Sequence, residues 1–176
     1  RVSFDEIRNN NILSVGLFFI FLIIIIGLGA IIGLFWGNLL FGIIIAGIFS
    51  IVYALIAYYS GKNMLMSFAN AKKVTKKEEP YLYHTVEGLA LAAGLPTPQA
   101  YIIEDPAPNA FATGRNPENS AIVVTRGLLQ KLNRQELEGV IAHEMAHIKN
   151  YDIRSMMIAT VMVGLIMLLS HFLLRS

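Results

Sequence analysis

Residues 133–150 read NRQELEGVIAHEMAHIKN. Asn133 followed three residues later by Glu136 predicts a reciprocal cap, each side chain taking the other's backbone N–H, so a helix is expected from Arg134. Leu137, Val140, Ile141, Met145 and Ile148 recur at three- and four-residue spacing, which lays one apolar stripe along that helix. His143 and His147 are four residues apart, hence on one face and about 6 Å apart along the axis at a rise of about 1.5 Å per residue. Glu144 projects about 100° round the helix from His143.

Two imidazoles so placed can share one tetrahedral zinc ion at about 2.0–2.1 Å. Glu144 then need not bind the metal, and can take a proton from a water that zinc has acidified to a pKa of about 7. The pattern suits hydrolysis of an amide bond, with Glu144 returning the proton to the leaving amine. The bland alternative is two core histidines beside a surface glutamate. It would leave an ionised Glu144 between apolar turns with no cation, which is unfavourable.

The chain has no cysteine, so disulfides, a thiol nucleophile and thiolate ligands are excluded, and any metal is held by His, Asp or Glu. A catalytic zinc normally has three protein ligands. A third histidine six residues after His147 would fall at Ile153, with glycine where Asn150 stands, so that subclass is excluded. Glu104, Asp105 and Glu118 stay open as acidic third ligands, none of them in a helical ligand pattern. His84 reads as a surface or half-buried histidine rather than a ligand. Asp152 has two open readings: an acid that orients a liganding histidine from behind, or an interfacial acid beside Arg154.

Upstream, Pro80 opens a second helical pattern through Leu82, Val86, Leu89, Ala90 and Ala93, closed by Gly94 and barred from continuing by Pro96. Ala100–Glu104, Ala110–Thr113 and Ser120–Thr125 read as short strands. Pro106 and Pro108 mark the first connection, and Asn116 to Asn119 form a hairpin-like loop before the third strand. A short helix is expected over Gly127–Leu132. Ala110–Thr113 is either an edge strand along which an extended peptide pairs or an ordinary strand and turn.

Further out the composition changes. No Asp, Glu, Lys or Arg occurs between Arg8 and Lys62, a gap of 53 residues, enough for two membrane spans near Ile12–Phe35 and Leu39–Tyr59 joined at Trp36-Gly37-Asn38. Trp36, Tyr58 and Tyr59 stand where interfacial aromatics are expected. A cleaved signal peptide is the competing reading of the first run, but its apolar stretch exceeds the usual length of about 7–15 residues and a second follows at once. Ser155–Leu174 is a third uncharged run, of 20 residues, in which Met156, Met157, Met162 and Met167 read as lipid-facing and His171 as an interfacial histidine.

Apolar residues make up 55% of the 176 and charged residues 15%, against about 25% in soluble domains, which excludes a disordered chain and argues against a fully soluble one. A net charge of +2 is too small to suggest a nucleic-acid partner. Lys62, Lys72, Lys73, Lys76 and Lys77 after the second span, with Arg1 and Arg8 before the first, place the N-terminus and Gly61 to Arg154 on the cytoplasmic side. The expected architecture is α+β: a membrane hairpin over 1–60, a small cytoplasmic helix-and-sheet domain over 61–154, and a third transmembrane span over 155–176. If the 133–150 helix ran on into that span, His147 would lie about 10 Å from Arg154, close above the membrane surface.

The two-span hairpin, the stretch Pro108-Asn109-Ala110-Phe111-Ala112-Thr113-Gly114, and His143 through Asp152 running into a third apolar run resemble the HtpX-type membrane zinc endopeptidases, bacterial relatives of the CAAX prenyl proteases. The resemblance covers essentially the whole chain. It implies a zincin-like domain, one zinc per complete protein on His143 and His147, and Glu144 as catalytic base. It also implies quality-control proteolysis of misfolded or membrane polypeptides, tied to stress response, at the cytoplasmic face of the bacterial plasma (inner) membrane. Asn109, Ala110, Phe111, Ala112 and Thr113 are the expected substrate-binding residues. The family's third ligand is a glutamate after a fourth span, so by the resemblance it lies beyond Ser176 and the chain is a fragment with an incomplete site. The competing expectations are a membrane scaffold or adaptor with a vestigial zinc motif, and a zinc hydrolase acting on lipid or another small amide.

Overall fold

The uncharged N-terminal run folds as two long helices, α1 (Phe4–Phe35) and α2 (Leu39–Phe68), the form in which an apolar segment satisfies its own backbone without water. The computed structural model describes residues 4–175; Arg1 and Ser176, and the side chains of Met167 and Arg175, lie outside the described residues. Arg8–Phe35 and Leu39–Phe68 are each long and apolar enough to cross a membrane, with mean hydropathy of 3.1 and 2.7. Helices of a soluble core would be mostly buried, whereas Ile23, Leu34, Leu40 and Ile48 here are all more than half exposed. Trp36 to Asn38 form the turn, where Gly37 takes a φ of +74° and the Asn38 side chain caps α2 by accepting from the Phe41 N–H at 3.0 Å.

The hairpin closes along a seam of small residues, Gly29 and Gly33 on α1 against Gly42 and Ala46 on α2. A Cβ on Gly42 would stand 2.7 Å from the Gly33 Cα, so the backbones approach more closely than any side chain permits. Gly42→Leu is therefore expected to splay the hairpin at a cost of about 1–3 kcal/mol, read as a lowered thermal midpoint in mild detergent.

α2 runs past Tyr59 to Phe68, and its end forms part of the next layer. A four-stranded sheet is ordered β1 (Lys72–Lys73), β2 (Gln99–Ile103), β4 (Ser120–Thr125), β3 (Ala110–Gly114). β2 and β4 are parallel, and the other two pairings are antiparallel. β4 is buried at every residue, as expected of a central strand. One sheet face carries Ala100, Ile102, Ala112, Ile122 and Val124. It packs on Leu82, Val86 and Ala90 of α3 (Pro80–Ala93) and on Leu137, Ile141, Met145 and Ile148 of α5 (Arg134–Lys149). The other face meets Met66 of α2 through Tyr101, Ala121 and Val123, so the second apolar helix supplies core to the sheet domain. Between these elements lies the short α4 (Arg126–Lys131).

The last helix, α6 (Asp152–Arg175), packs against both arms of the hairpin. Met157 and Met162 are 1% and 6% exposed, clustered with Phe21, Ile25 and Ala46, which corrects their expected lipid-facing placement. Met156 does point outward. The reason is that α6 contacts both α1 and α2, and an unbranched thioether fills an irregular three-helix junction well.

Candidate metal centre and active site

α5 begins as its sequence dictates. Asn133 Oδ1 accepts from the Glu136 N–H at 3.0 Å, and Glu136 Oε2 accepts from the Asn133 N–H at 2.8 Å. Its buried stripe points into the core and holds the helix in register, which fixes where the polar residues on the remaining surface emerge. His143 and His147 present Nε2 atoms 3.2 Å apart, their rings perpendicular. Two imidazole nitrogens on one tetrahedral zinc at about 2.0–2.1 Å stand about 3.3–3.4 Å apart, so the pair fits the metal that its sequence pattern implies.

Glu144 is half-buried, and its carboxylate accepts a hydrogen bond from the Ala112 backbone N–H at 3.0 Å. β3 lies at the sheet edge, so that N–H is on the side not paired with β4. The carboxylate thus lies between the histidine-bearing helix and an edge strand. Asn109, exposed at the start of this strand, is pinned by its backbone: its N–H donates to Thr125 Oγ1 and its carbonyl accepts from the Thr125 N–H, both at 2.9 Å. Ala110 and Ala112 pack toward α5, while Phe111 packs on the opposite sheet face and Thr113 is buried.

α5 does not run on into the last helix, contrary to the continuous helix entertained above. It ends at Lys149, Asn150 caps it, and Tyr151 adopts a left-handed φ of +62° before α6 starts at Asp152. This break has a chemical consequence. In an unbroken helix the residue five beyond His147 would sit about 140° away from it. With the left-handed residue between them, His147 Nδ1–H donates to Asp152 Oδ2 at 2.8 Å, leaving Nε2 with its lone pair. Asp152 is therefore the acid behind a histidine rather than a partner of Arg154. The Arg154 guanidinium goes instead to the Arg115 carbonyl (2.7 Å) and stacks on the Tyr151 ring at 5.0 Å. Tyr151→Val is expected to cost about 2 kcal/mol, because a β-branched residue fits this backbone poorly, and to weaken metal retention with it. Tyr151→Asn should come nearer the parent in thermal midpoint and metal content.

The other sequence candidates are not brought to the two histidines. Glu104 pairs with Arg126, whose hydrogen bond holds its carboxyl below the usual carboxylate range. Asp105 Oδ1 accepts from the Ala107 N–H in the loop, and Glu118 is exposed in a short turn. His84 is a surface residue beside Glu87, and His171 is exposed on α6. Among the described residues no group of three or more His, Asp or Glu is arranged to hold a metal ion. Sequence reasoning missed Asn10, which reaches Asp152 across 142 positions; the one signal was three consecutive asparagines, poor helix formers, opening a long helix.

Two convergent imidazoles and a carboxylate set between helix and edge strand thus stand in one chain with an apolar helical hairpin. Residues 76–175 match the profile of peptidase family M48, and the chain belongs to that family. It is similar to proteins named Protease HtpX homolog. It is 49% identical to the one from Listeria innocua serovar 6a over 174 residues (98% of this chain, 57% of the relative). It is 54% identical to that of Dictyoglomus turgidum over 135 residues (77% and 44%) and 44% identical to that of Lactobacillus helveticus over 168 (95% and 56%). The chain thus spans about half the length of these curated relatives.

Proposed function

We propose that the protein carrying this segment is a membrane-bound zinc endopeptidase that cleaves unfolded or membrane polypeptides at the cytoplasmic face of the bacterial plasma membrane, in quality control. The observation that carries the reading is one helix that presents two Nε2 atoms 3.2 Å apart and, from the residue between those histidines, a carboxylate held by the outward N–H of an edge strand. The family membership and the names of the relatives support it.

His143 and His147 would hold zinc, together with a glutamate outside residues 1–176, and bound zinc would polarise the scissile carbonyl and acidify a water. Asp152 fixes the His147 ring so that Nε2 faces the metal position. Glu144 takes the proton from the attacking water and delivers it to the leaving amine. The backbone of Asn109 to Thr113 offers an extended peptide a strand to pair with, which sets its carbonyl near Glu144. α6 forms a third span, and the basic residues after α2 keep the catalytic side cytoplasmic.

The test is chelator-sensitive cleavage by the full-length protein, comparing unfolded polypeptides with lipid amides. Cleavage of polypeptides alone is expected. Hydrolysis confined to lipid amides would make it another zinc hydrolase, and no hydrolysis of either would favour the scaffold.

A further inference from the structure

Asp152, which holds His147, is itself held from the apolar hairpin. Asn10, in the early turns of α1, donates from its amide to Asp152 Oδ1 and to the Asn150 carbonyl (3.1 Å). One side-chain NH2 has two donors, and these two acceptors flank the break between α5 and α6. The contact is built in depth. The hydroxyls of Ser14 and Ser155 each donate to the Asn10 carbonyl at 2.9 Å, and Arg154 Nη1 donates to Asn11 Oδ1 at 2.7 Å. Asparagine is a poor helix former, and its use here, just ahead of the apolar run of α1, is accounted for by this contact.

We propose that Asn10 is a positioning residue for the metal site. The first helix of the hairpin fixes Asp152, Asp152 fixes the His147 imidazole, and the anchor and the catalytic centre form one mechanical unit. The inference rests on the reading of His143 and His147 as metal ligands. It implies that the hairpin sets metal affinity as well as location.

The experiment uses the full-length protein in detergent micelles, with zinc affinity measured by chelator competition and the visible spectrum of the cobalt-loaded form as second readout. Asn10→Leu is expected to weaken zinc binding about 10-fold, the lower end for groups that orient a ligand, to shift the cobalt spectrum, and to lower kcat more than KM. Asn10→Gln, which keeps the amide, should recover most of the affinity. Tyr53→Phe removes a different hairpin–α6 hydrogen bond, to the Val161 carbonyl, without touching Asn10 or Asp152, and should bind zinc as the parent does. Unchanged affinity and spectrum in Asn10→Leu would overturn the proposal, as would an equal loss in Tyr53→Phe, which would make the contact merely structural. His147→Ala separates the two levels. If it loses zinc while Asn10→Leu does not, only the positioning role fails; if it keeps zinc, the metal-site reading fails as well.

Discussion

Glu144→Gln in the full-length protein is expected to keep its zinc and to lose peptide cleavage by about 10³-fold, within the range for removal of a general base. The substitution isolates proton transfer because of what Glu144 touches. Its carboxylate accepts one hydrogen bond, from the Ala112 N–H, and a glutamine carbonyl oxygen accepts the same bond from the same place. The strand, the helix and the spacing between them should therefore survive. What disappears is the ability to take and return a proton. Metal analysis beside cleavage of an unfolded polypeptide reads both halves. Normal cleavage would remove Glu144 from the mechanism, and loss of zinc along with activity would make it a ligand instead.

Much of this arrangement is legible in the sequence because it is local. The cap at Asn133 and Glu136, the apolar stripe of α5 and the four-residue spacing of His143 and His147 each depend on residues within about three turns of one helix. The hairpin is equally plain, since length and hydropathy alone mark both helices and Gly37-Asn38 marks the turn. The strands at 99–103, 110–114 and 120–125 lie within one residue of their expected ends.

What escapes is non-local or lacks a chemical signal. β1 consists of two lysines, exposed and easily taken for a solvated run, whose strand character comes from pairing with Tyr101 and Ile102. The left-handed turn at Tyr151 carries no glycine or proline to announce it, and without that turn the role of Asp152 cannot be chosen between its two readings. Met157 and Met162 look lipid-facing until α6 is placed against α1 and α2. Such features belong to tertiary contacts, and periodicity carries no information about them.

His143→Ala and His147→Ala should both weaken zinc binding strongly and abolish cleavage, yet differ in the metal-free protein. A structural zinc site contributes about 10–16 kcal/mol over four ligands, so each ligand is worth roughly 2.5–4 kcal/mol, and losing one lowers affinity by roughly 10²–10³-fold. That loss is common to the two variants. His143 is exposed, and packing on its helix is carried by Ile141, Met145 and Ile148, so its removal should leave the thermal midpoint of stripped protein nearly unchanged. His147 is part-buried and bonded to Asp152, whose other oxygen is taken by Asn10. Deleting the ring leaves that carboxylate short of a partner, at a cost of about 1–3 kcal/mol even without metal. Thermal unfolding of both variants after chelation, with zinc per chain measured before it, decides the matter. Equal midpoints would mean that the Asp152 contact contributes nothing until metal binds; a lower midpoint for His147→Ala alone would show that the carboxylate holds the ring ready beforehand.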